Sequence, residues 1–357
     1  MDIPNQILTT LQDIASNIQI TSEFAITHPQ YKPLKLAPEV VVRFQQLPVD
    51  LQYKYLSLQL QSFLYETYYS GNLKATVASE QDSSNSLEQD LEERTVMGLN
   101  IDFYDQLHES NCGKGYYDSG WRVVREESDG SLAVKKNNLT LHVERDRHLK
   151  CSFAAIGDLV AVWTPRNRIS KDFYIAIGDA GLIDYSSSNH QSEIINIYFN
   201  FSSTGAIAVM NSLTQQLNKI QIPFTFKVLH NPKSYGRYDS GTLYFERCNY
   251  QKIHPIIQAI YRENSLQFQA QVPLFTKKLA PGIALAEEPS YEFITQDFGV
   301  NRCQIIADGL IAAWQQGEQS LNVMLLSIVR HFCVRNIDLE RPYLNPNSED
   351  IYLQLEA

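Results

Sequence analysis

The segment 222–229 reads Ile-Pro-Phe-Thr-Phe-Lys-Val-Leu, which places one lysine within an apolar run that is typical of a strand. Side chains alternate between the two faces of a strand, so Lys227 shares a face with Thr225 and Leu229. A buried lysine without a partner costs free energy. The pattern therefore leaves two alternatives: Lys227 lies on a solvated edge of a sheet, or it is a cation that reaches a cleft from a rigid strand.

Two arginines occupy positions that suit an anion site. Arg237 lies between two tyrosines and directly follows Gly236, and its planar fork matches a phosphate group. Arg302 falls at the start of a predicted helix, where free N–H groups and positive potential favour an anion. An ordinary ion pair remains the alternative for each arginine, with Asp239 as the partner of Arg237.

Further cations lie in apolar surroundings. Lys277 and Lys278 interrupt the apolar segment 274–282, and we expect one of the two to point inward. Two predicted strands, 131–136 and 139–143, flank Asn137-Asn138, a good two-residue hairpin turn. This hairpin would present Lys136 as another candidate phosphate ligand.

The same hairpin carries a histidine near its lysines. Its register places Lys135, Thr140 and His142 on one face. Histidine is the side chain that most readily exchanges a proton near neutral pH, so His142 is a candidate general acid. A lone histidine is more often structural or exposed, and that alternative stays open.

Composition narrows the class of protein. The chain has 357 residues, of which 44% are hydrophobic, and a net charge of −10, so wholesale disorder is excluded. Eight lysines and arginines stand against three carboxylates within residues 223–281, which favours a local anion site over a nucleic-acid surface. The sequence has no apolar run of membrane-spanning length, and its first residues lack the basic and apolar pattern of a signal peptide, so we expect neither a membrane span nor a secretory leader. Five widely spaced cysteines indicate a reducing compartment, so we expect a cytoplasmic protein without a nucleic-acid or membrane partner.

The periodicity changes along the chain and predicts an α+β fold. Apolar spacings of three and four predict a helical lobe in residues 1–75, including helices over 3–18 and 49–69. Residues 76–114 are acidic and predict a mobile connector. Residues 115–345 predict a mixed α/β catalytic domain with a largely antiparallel sheet, and residues 346–357 a C-terminal tail.

Several blocks in this order resemble one family. The blocks 223–229, 234–239, 275–282 and 298–303 are similar to the signature segments of the HopA-like family, and the resemblance is densest over 115–310. The family includes a type III secreted effector of plant pathogens and proteins encoded beside kinase-like partners in clusters for lanthipeptides and thioamide peptides.

The resemblance implies a phosphoserine or phosphothreonine lyase. A kinase-like partner would phosphorylate a precursor peptide, and this protein would eliminate the phosphate to leave a dehydroamino acid. That chemistry needs a base, cations on the phosphate and an electrophile for the developing enolate, but no metal or redox cofactor.

The resemblance and the residues together suggest roles for the candidates. Lys227 is the candidate base, and His142 or Tyr235 is the candidate donor to the departing oxygen. The candidate phosphate ligands are Arg237, Lys277, Arg302 and Lys136, with Lys278 in reserve. The alternative is a non-enzymatic module that docks a peptide or partner protein, or an effector secreted through a type III system.

Overall fold

The computed structural model describes residues 3–73, 95–96, 98–183, 193–289 and 297–356. Most of the predicted acidic connector, residues 76–94 in particular, lies outside these residues. Its last part is helical, because α4 spans Ile101–Ser110 and is capped by Asn100, whose side chain accepts a hydrogen bond from the Phe103 N–H. A two-stranded ribbon of β4 (Thr95–Val96) and β5 (Leu99–Asn100) precedes this helix.

The N-terminal region is mainly helical. Helix α1 (Asn5–Asn17) is followed by a small antiparallel sheet and by helices α2 and α3. Helix α3 runs directly into a π-helical turn, so the predicted helix 49–69 is present with a widened last turn. The bounds are β1 Gln19–Ile20, β2 Ile26–His28, β3 Tyr31–Leu34, α2 Pro38–Gln45, α3 Val49–Leu64 and the π-turn Tyr65–Tyr69.

A four-stranded antiparallel sheet follows, with the strand order β8-β7-β6-β9. The predicted hairpin is confirmed, since Lys136 pairs with Leu139 and Lys135 with Thr140. Apolar side chains on one face, among them Trp121 and Val134, form a small separate core. The bounds are β6 Tyr116–Glu126, β7 Leu132–Lys136, β8 Leu139–Val143, the short helix α5 Arg145–His148 and β9 Leu159–Thr164.

The largest sheet has seven strands in the described residues, in the order β10-β11-β13-β14-β12-β16-β15. Every neighbouring pair is antiparallel, which confirms the predicted fold class. Strand β12 is buried along its whole length because it lies between β14 and β16. The bounds are β10 Asn167–Ile169, β11 Phe173–Ile177, β12 Ile194–Phe199, β13 Thr225–Leu229, β14 Gly241–Glu246, β15 Lys277–Ala280 and β16 Ile283–Glu287.

Helices cover both faces of this sheet. On the first face, Phe226 and Leu243 pack with residues of α6 (Ser203–Lys219) and α7 (Tyr250–Asn264). The N-cap of α6 is Ser202, whose hydroxyl accepts from the Gly205 N–H. On the second face, α8 (Phe298–Gln315) and α9 (Leu321–Val334) pack together with the N-terminal helices.

The N-terminal helices and the α/β region therefore share one core. Leu11 of α1 and Leu56 of α3 belong to the same buried cluster as Ile306 of α8 and Ile328 of α9. The C-terminal residues are integrated as well, since the Leu355 N–H donates to the Leu279 carbonyl 2.9 Å away. Residues 1–72 and 346–356 thus pack onto the 115–345 region as parts of one structure.

Gly299 gives a direct test of how α8 packs against the π-turn. Glycine weakens a helix relative to alanine by about 1 kcal/mol, so Gly299→Ala would stabilise a free helix. Here a Cβ atom at residue 299 would collide with the ring of Tyr69, which is buried. We expect Gly299→Ala to lower the free energy of unfolding by about 1–3 kcal/mol, measured by urea denaturation. The double variant with Tyr69→Ala should be more stable than the sum of the two single effects, and strict additivity would contradict this packing.

Candidate functional site

Lys227 lies on β13, the third strand of the seven-stranded sheet, between β11 and β14. It pairs with Ile175 on one side and with Thr242 on the other, so both of its neighbours are strands. The solvated-edge alternative is therefore excluded. The phenylalanines beside Lys227 enter the α6–α7 core, and the lysine points to the opposite face, where it is only partly exposed.

The amine of Lys227 is held against one tyrosine. Its Nζ atom donates to the Tyr244 hydroxyl at 3.2 Å and lies 4.4 Å from the centre of that ring. Burial lowers the pKa of the Lys227 amine, and the carboxylates of Asp297 and Glu288 oppose this shift. The lysine therefore reaches its neutral, proton-accepting form at a lower pH than an exposed lysine does.

Glu288 follows β16 directly and faces the same side of the sheet. Its carboxylate accepts from the side-chain amide of Asn196, which is fully buried on β12, and from the backbone N–H of Phe298. Burial raises the pKa of Glu288 to about 7, and the nearby negative charge of Asp297 contributes. At neutral pH this carboxyl consequently exists in both protonation states.

Asp297 is the N-cap of α8, and its side chain accepts from the Val300 N–H at 2.9 Å. Part of the residue is accessible to solvent. Desolvation by the surrounding protein nevertheless raises the pKa of the Asp297 carboxyl, and the negative charge of Asp239 raises it further. Together with Lys227, Tyr244 and Glu288, it forms what we call the lysine–carboxyl cluster. The cluster combines a cation with a lowered pKa and two carboxyls with raised pKa values, an arrangement typical of acid–base sites.

Tyrosines of the π-turn and of β12 line the same side of the sheet. The ring of Tyr69 lies 4.9 Å from that of Tyr65 and 6.2 Å from that of Tyr198. The Tyr65 hydroxyl donates to Asp239 at 2.8 Å. Burial raises the pKa of all three phenols well above its usual value, so they remain neutral hydroxyls.

Arg237 lies beside this cluster but already has a partner. Its Nε and Nη2 atoms donate to the carboxylate of Asp239 at 2.6 and 2.8 Å. The ion-pair alternative is thus correct about the partner, although the pair is largely buried and not on the surface. Within the described residues, Nη1 of Arg237 has no hydrogen bond, and the arginine lowers the pKa of Asp297 through its charge. Both N–H groups on Nη1 are therefore unused within the described part of the chain.

Arg302 is bound inside the protein and does not reach the cluster as a ligand. Its side chain is almost fully buried within α8, and its guanidinium donates to the carbonyls of Pro342 and Leu344 at 2.9 and 3.1 Å. A further bond joins it to the side chain of Asn301. Arg302 was predicted to bind phosphate, but in the structure its guanidinium binds the C-terminal segment instead. Its observed role is therefore structural.

Lys277 and Lys136 also have partners of their own. Lys277 donates to both carboxylate oxygens of Asp350, at 2.8 and 2.7 Å. Lys136 donates to Asp118 at 2.7 Å, on the separate four-stranded sheet. The structure therefore does not assemble Arg237, Lys277, Arg302 and Lys136 into one anion site.

The two predicted proton donors lie elsewhere too. His142 is on β8 of the four-stranded sheet, exposed, with Glu127 3.4 Å away. The hydroxyl of Tyr235 donates to the Leu229 carbonyl at 2.8 Å, and its ring packs against the α6–α7 core. Neither side chain contacts the lysine–carboxyl cluster.

A model of the HopA1 effector protein family matches residues 164–344, half of the chain. The chain belongs to the HopA1 effector protein family. The matched range contains the whole lysine–carboxyl cluster, whereas His142 and Lys136 lie before it.

Two solved structures of effector proteins from Pseudomonas syringae resemble this HopA1 family member. The effector of pathovar syringae strain 61 is 16% identical, with 87% of this chain and 99% of that chain covered and a TM-score of 0.43. The effector of pathovar tomato strain DC3000 is 18% identical, with 49% of this chain and 63% of that chain covered and a TM-score of 0.36. The match thus spans less than two thirds of the DC3000 effector. No curated protein matches the chain.

Two further features of this HopA1 family member concern metals and membranes. The described residues contain no group of three or more histidines, cysteines or carboxylates placed to hold a metal ion. Among the helices of the same residues, none is both long enough and apolar enough to cross a bilayer.

Proposed function

We propose that this protein is a metal-independent lyase that eliminates phosphate from phosphoserine or phosphothreonine in a peptide and leaves a dehydroamino acid. The observation that carries the proposal is Lys227, an amine fixed on an interior strand with its pKa lowered by burial. β-Elimination begins with removal of a weakly acidic Cα proton, which needs a positioned neutral base. A lysine on a rigid strand between two others fits that role.

Tyr244 supplies a hydroxyl for the charge that develops on the substrate. Because Lys227 donates to the oxygen of Tyr244, the hydroxyl hydrogen points elsewhere, and this hydroxyl makes no second hydrogen bond within the described residues. Burial keeps this phenol neutral by raising its pKa. A fixed neutral donor beside the base is suited to the carbonyl oxygen of the forming enolate.

The phosphate would be bound by Arg237 through the two N–H groups of its Nη1 atom. Two carboxyls nearby would repel a phosphate dianion if both were ionised, but the pKa values of Glu288 and Asp297 are raised. A bound phosphate raises them further, so the carboxyls become hydrogen-bond donors in the complex. The cluster can therefore accommodate an anion with fewer cations than the sequence predicts.

The decisive experiment is incubation with phosphoserine and phosphothreonine peptides in the presence of a chelator and without nucleotide. We expect release of inorganic phosphate and a peptide whose mass has fallen by one phosphoric acid. A thiol added afterwards should react with the product, because a dehydroamino acid is an electrophile. A peptide that instead regains its hydroxyl would indicate a phosphatase, and tight binding without release would favour the docking-module alternative.

A further inference from the structure

We propose that Glu288 is the catalytic proton donor to the departing phosphate oxygen and that Asn196 is its positioning residue. The inference rests on the proposed lyase reaction and assigns a step that neither His142 nor Tyr235 is placed to perform. Glu288 lies in the same cluster as Lys227, on the same face of the sheet, and acts on the lysine through its charge.

The surroundings of Glu288 hold its carboxyl in place. The amide of Asn196 donates to Oε2, and Asn196 cannot move because β12 is hydrogen-bonded to β14 and β16 along its length. The same amide lies 3.2 Å from the Tyr198 hydroxyl. Two further bonds fix the backbone of Glu288, whose N–H donates to the Ile194 carbonyl and whose carbonyl accepts from Asn345. A carboxyl restrained in this way is pre-organised for transfer of a proton at one position.

The leaving group requires that proton near neutral pH. A phosphate monoester has a second pKa of about 6, so it binds mainly as a dianion and would otherwise depart as the strongly basic trianion. In the step we propose, the Cα–H bond breaks and its proton passes to the Lys227 amine. The electron pair forms the Cα=Cβ bond, the Cβ–O bond breaks, and the oxygen takes the proton of Glu288. The products are hydrogen phosphate, a Glu288 carboxylate and a Lys227 ammonium.

The two residues can then exchange the proton and reset the site. The ammonium of Lys227 returns its proton to the Glu288 carboxylate, directly or through water, so no external acid or base is consumed.

Charged and titratable groups from every neighbouring element act on Glu288: Lys227 on β13, Tyr198 on β12, Tyr244 on β14, and Asp297 and Arg302 at the start of α8.

The test is the pH profile of phosphate release by Glu288→Gln. At about pH 8 the substrate is a dianion, and loss of a general acid should lower kcat on the order of 10²–10⁴-fold. At about pH 5 the monoester carries its own proton, so the deficit should shrink by at least tenfold. KM should stay near that of the wild type, because glutamine keeps the acceptor for Asn196.

Controls separate this inference from the proposed function. Glu246→Gln makes the same change on β14 outside the cluster and should leave the profile unaltered. Asn196→Ala should lower kcat without changing KM or the shape of the profile, because the carboxyl remains. Suppose that the wild type eliminates phosphate but Glu288→Gln is as fast as the wild type, or is slower by the same factor at every pH. Either result would overturn the role of Glu288 and leave the lyase reaction standing. No elimination by the wild type would overturn the lyase itself.

Discussion

Lys227→Ala is expected to lower the rate of phosphate elimination on the order of 10²–10⁴-fold, the usual cost of removing a general base. The amine is held by Tyr244 on an interior strand, so its position is fixed. Only the neutral amine takes up a proton. Because burial lowers the pKa of Lys227, the wild-type rate should begin to rise at a lower pH than it would with an exposed lysine, and it should fall again at higher pH as Glu288 loses its proton.

Peptide binding distinguishes the base from a simple docking cation. Lys227→Ala should keep much of its affinity for the phosphopeptide, whereas Arg237→Ala should weaken both capture and turnover, since a phosphate contact acts in ground and transition states. Lys278→Ala is the matched control, because Lys278 is exposed and its charge lies outside the cluster. Undiminished elimination by folded Lys227→Ala would remove this residue from the mechanism.

Arg302→Ala is expected to lower the free energy of unfolding by about 2–5 kcal/mol, as large-to-small changes in a core do. The variant leaves a cavity in α8 and two carbonyls, of Pro342 and Leu344, without their donor. Burial lowers the pKa of Arg302 to about 10, so the guanidinium is still charged at neutral pH and its loss removes an ionic donor. Urea denaturation measures the effect.

The same measurement decides between a structural and a ligand-binding arginine at this position. Arg330→Ala on α9 removes an exposed arginine and should change stability by no more than about 0.5 kcal/mol. If Arg302→Ala kept the wild-type stability but lost phosphopeptide binding, the original prediction of a phosphate ligand would be right after all.

The local sequence pattern was sufficient to predict several secondary-structure elements and one residue of the site, Lys227. The alternation around Lys227 correctly set it apart from the phenylalanines that enter the core, because the period of a strand is independent of tertiary structure. The Asn137-Asn138 hairpin was predicted with its register for the same reason.

The partners of Lys227 were missed because they depend on strand order. Glu288 approaches Asn196 only because β16 pairs with β12, whose residues lie about ninety positions earlier. Asp297 carried a readable signal, since an aspartate before an apolar helical run is a typical N-cap. The partners of Lys277 and Arg302 were missed for a related reason: the sequence shows where the cations are, but not that Asp350 and two backbone carbonyls already bind them.

The C-terminal segment has a consequence for how the chain acquires its structure. Buried Glu287 accepts hydrogen bonds from Ser348 and Tyr352, and buried Arg302 donates to the carbonyls of residues 342 and 344, so neither group can be buried with these partners until those residues have been synthesised. Strand β12 must likewise wait for β14 and β16, which are encoded much later. Contacts this distant in sequence slow folding. A nascent chain is therefore expected to expose core residues until residues 342–352 have been synthesised, and chaperones would protect it from aggregation during that time.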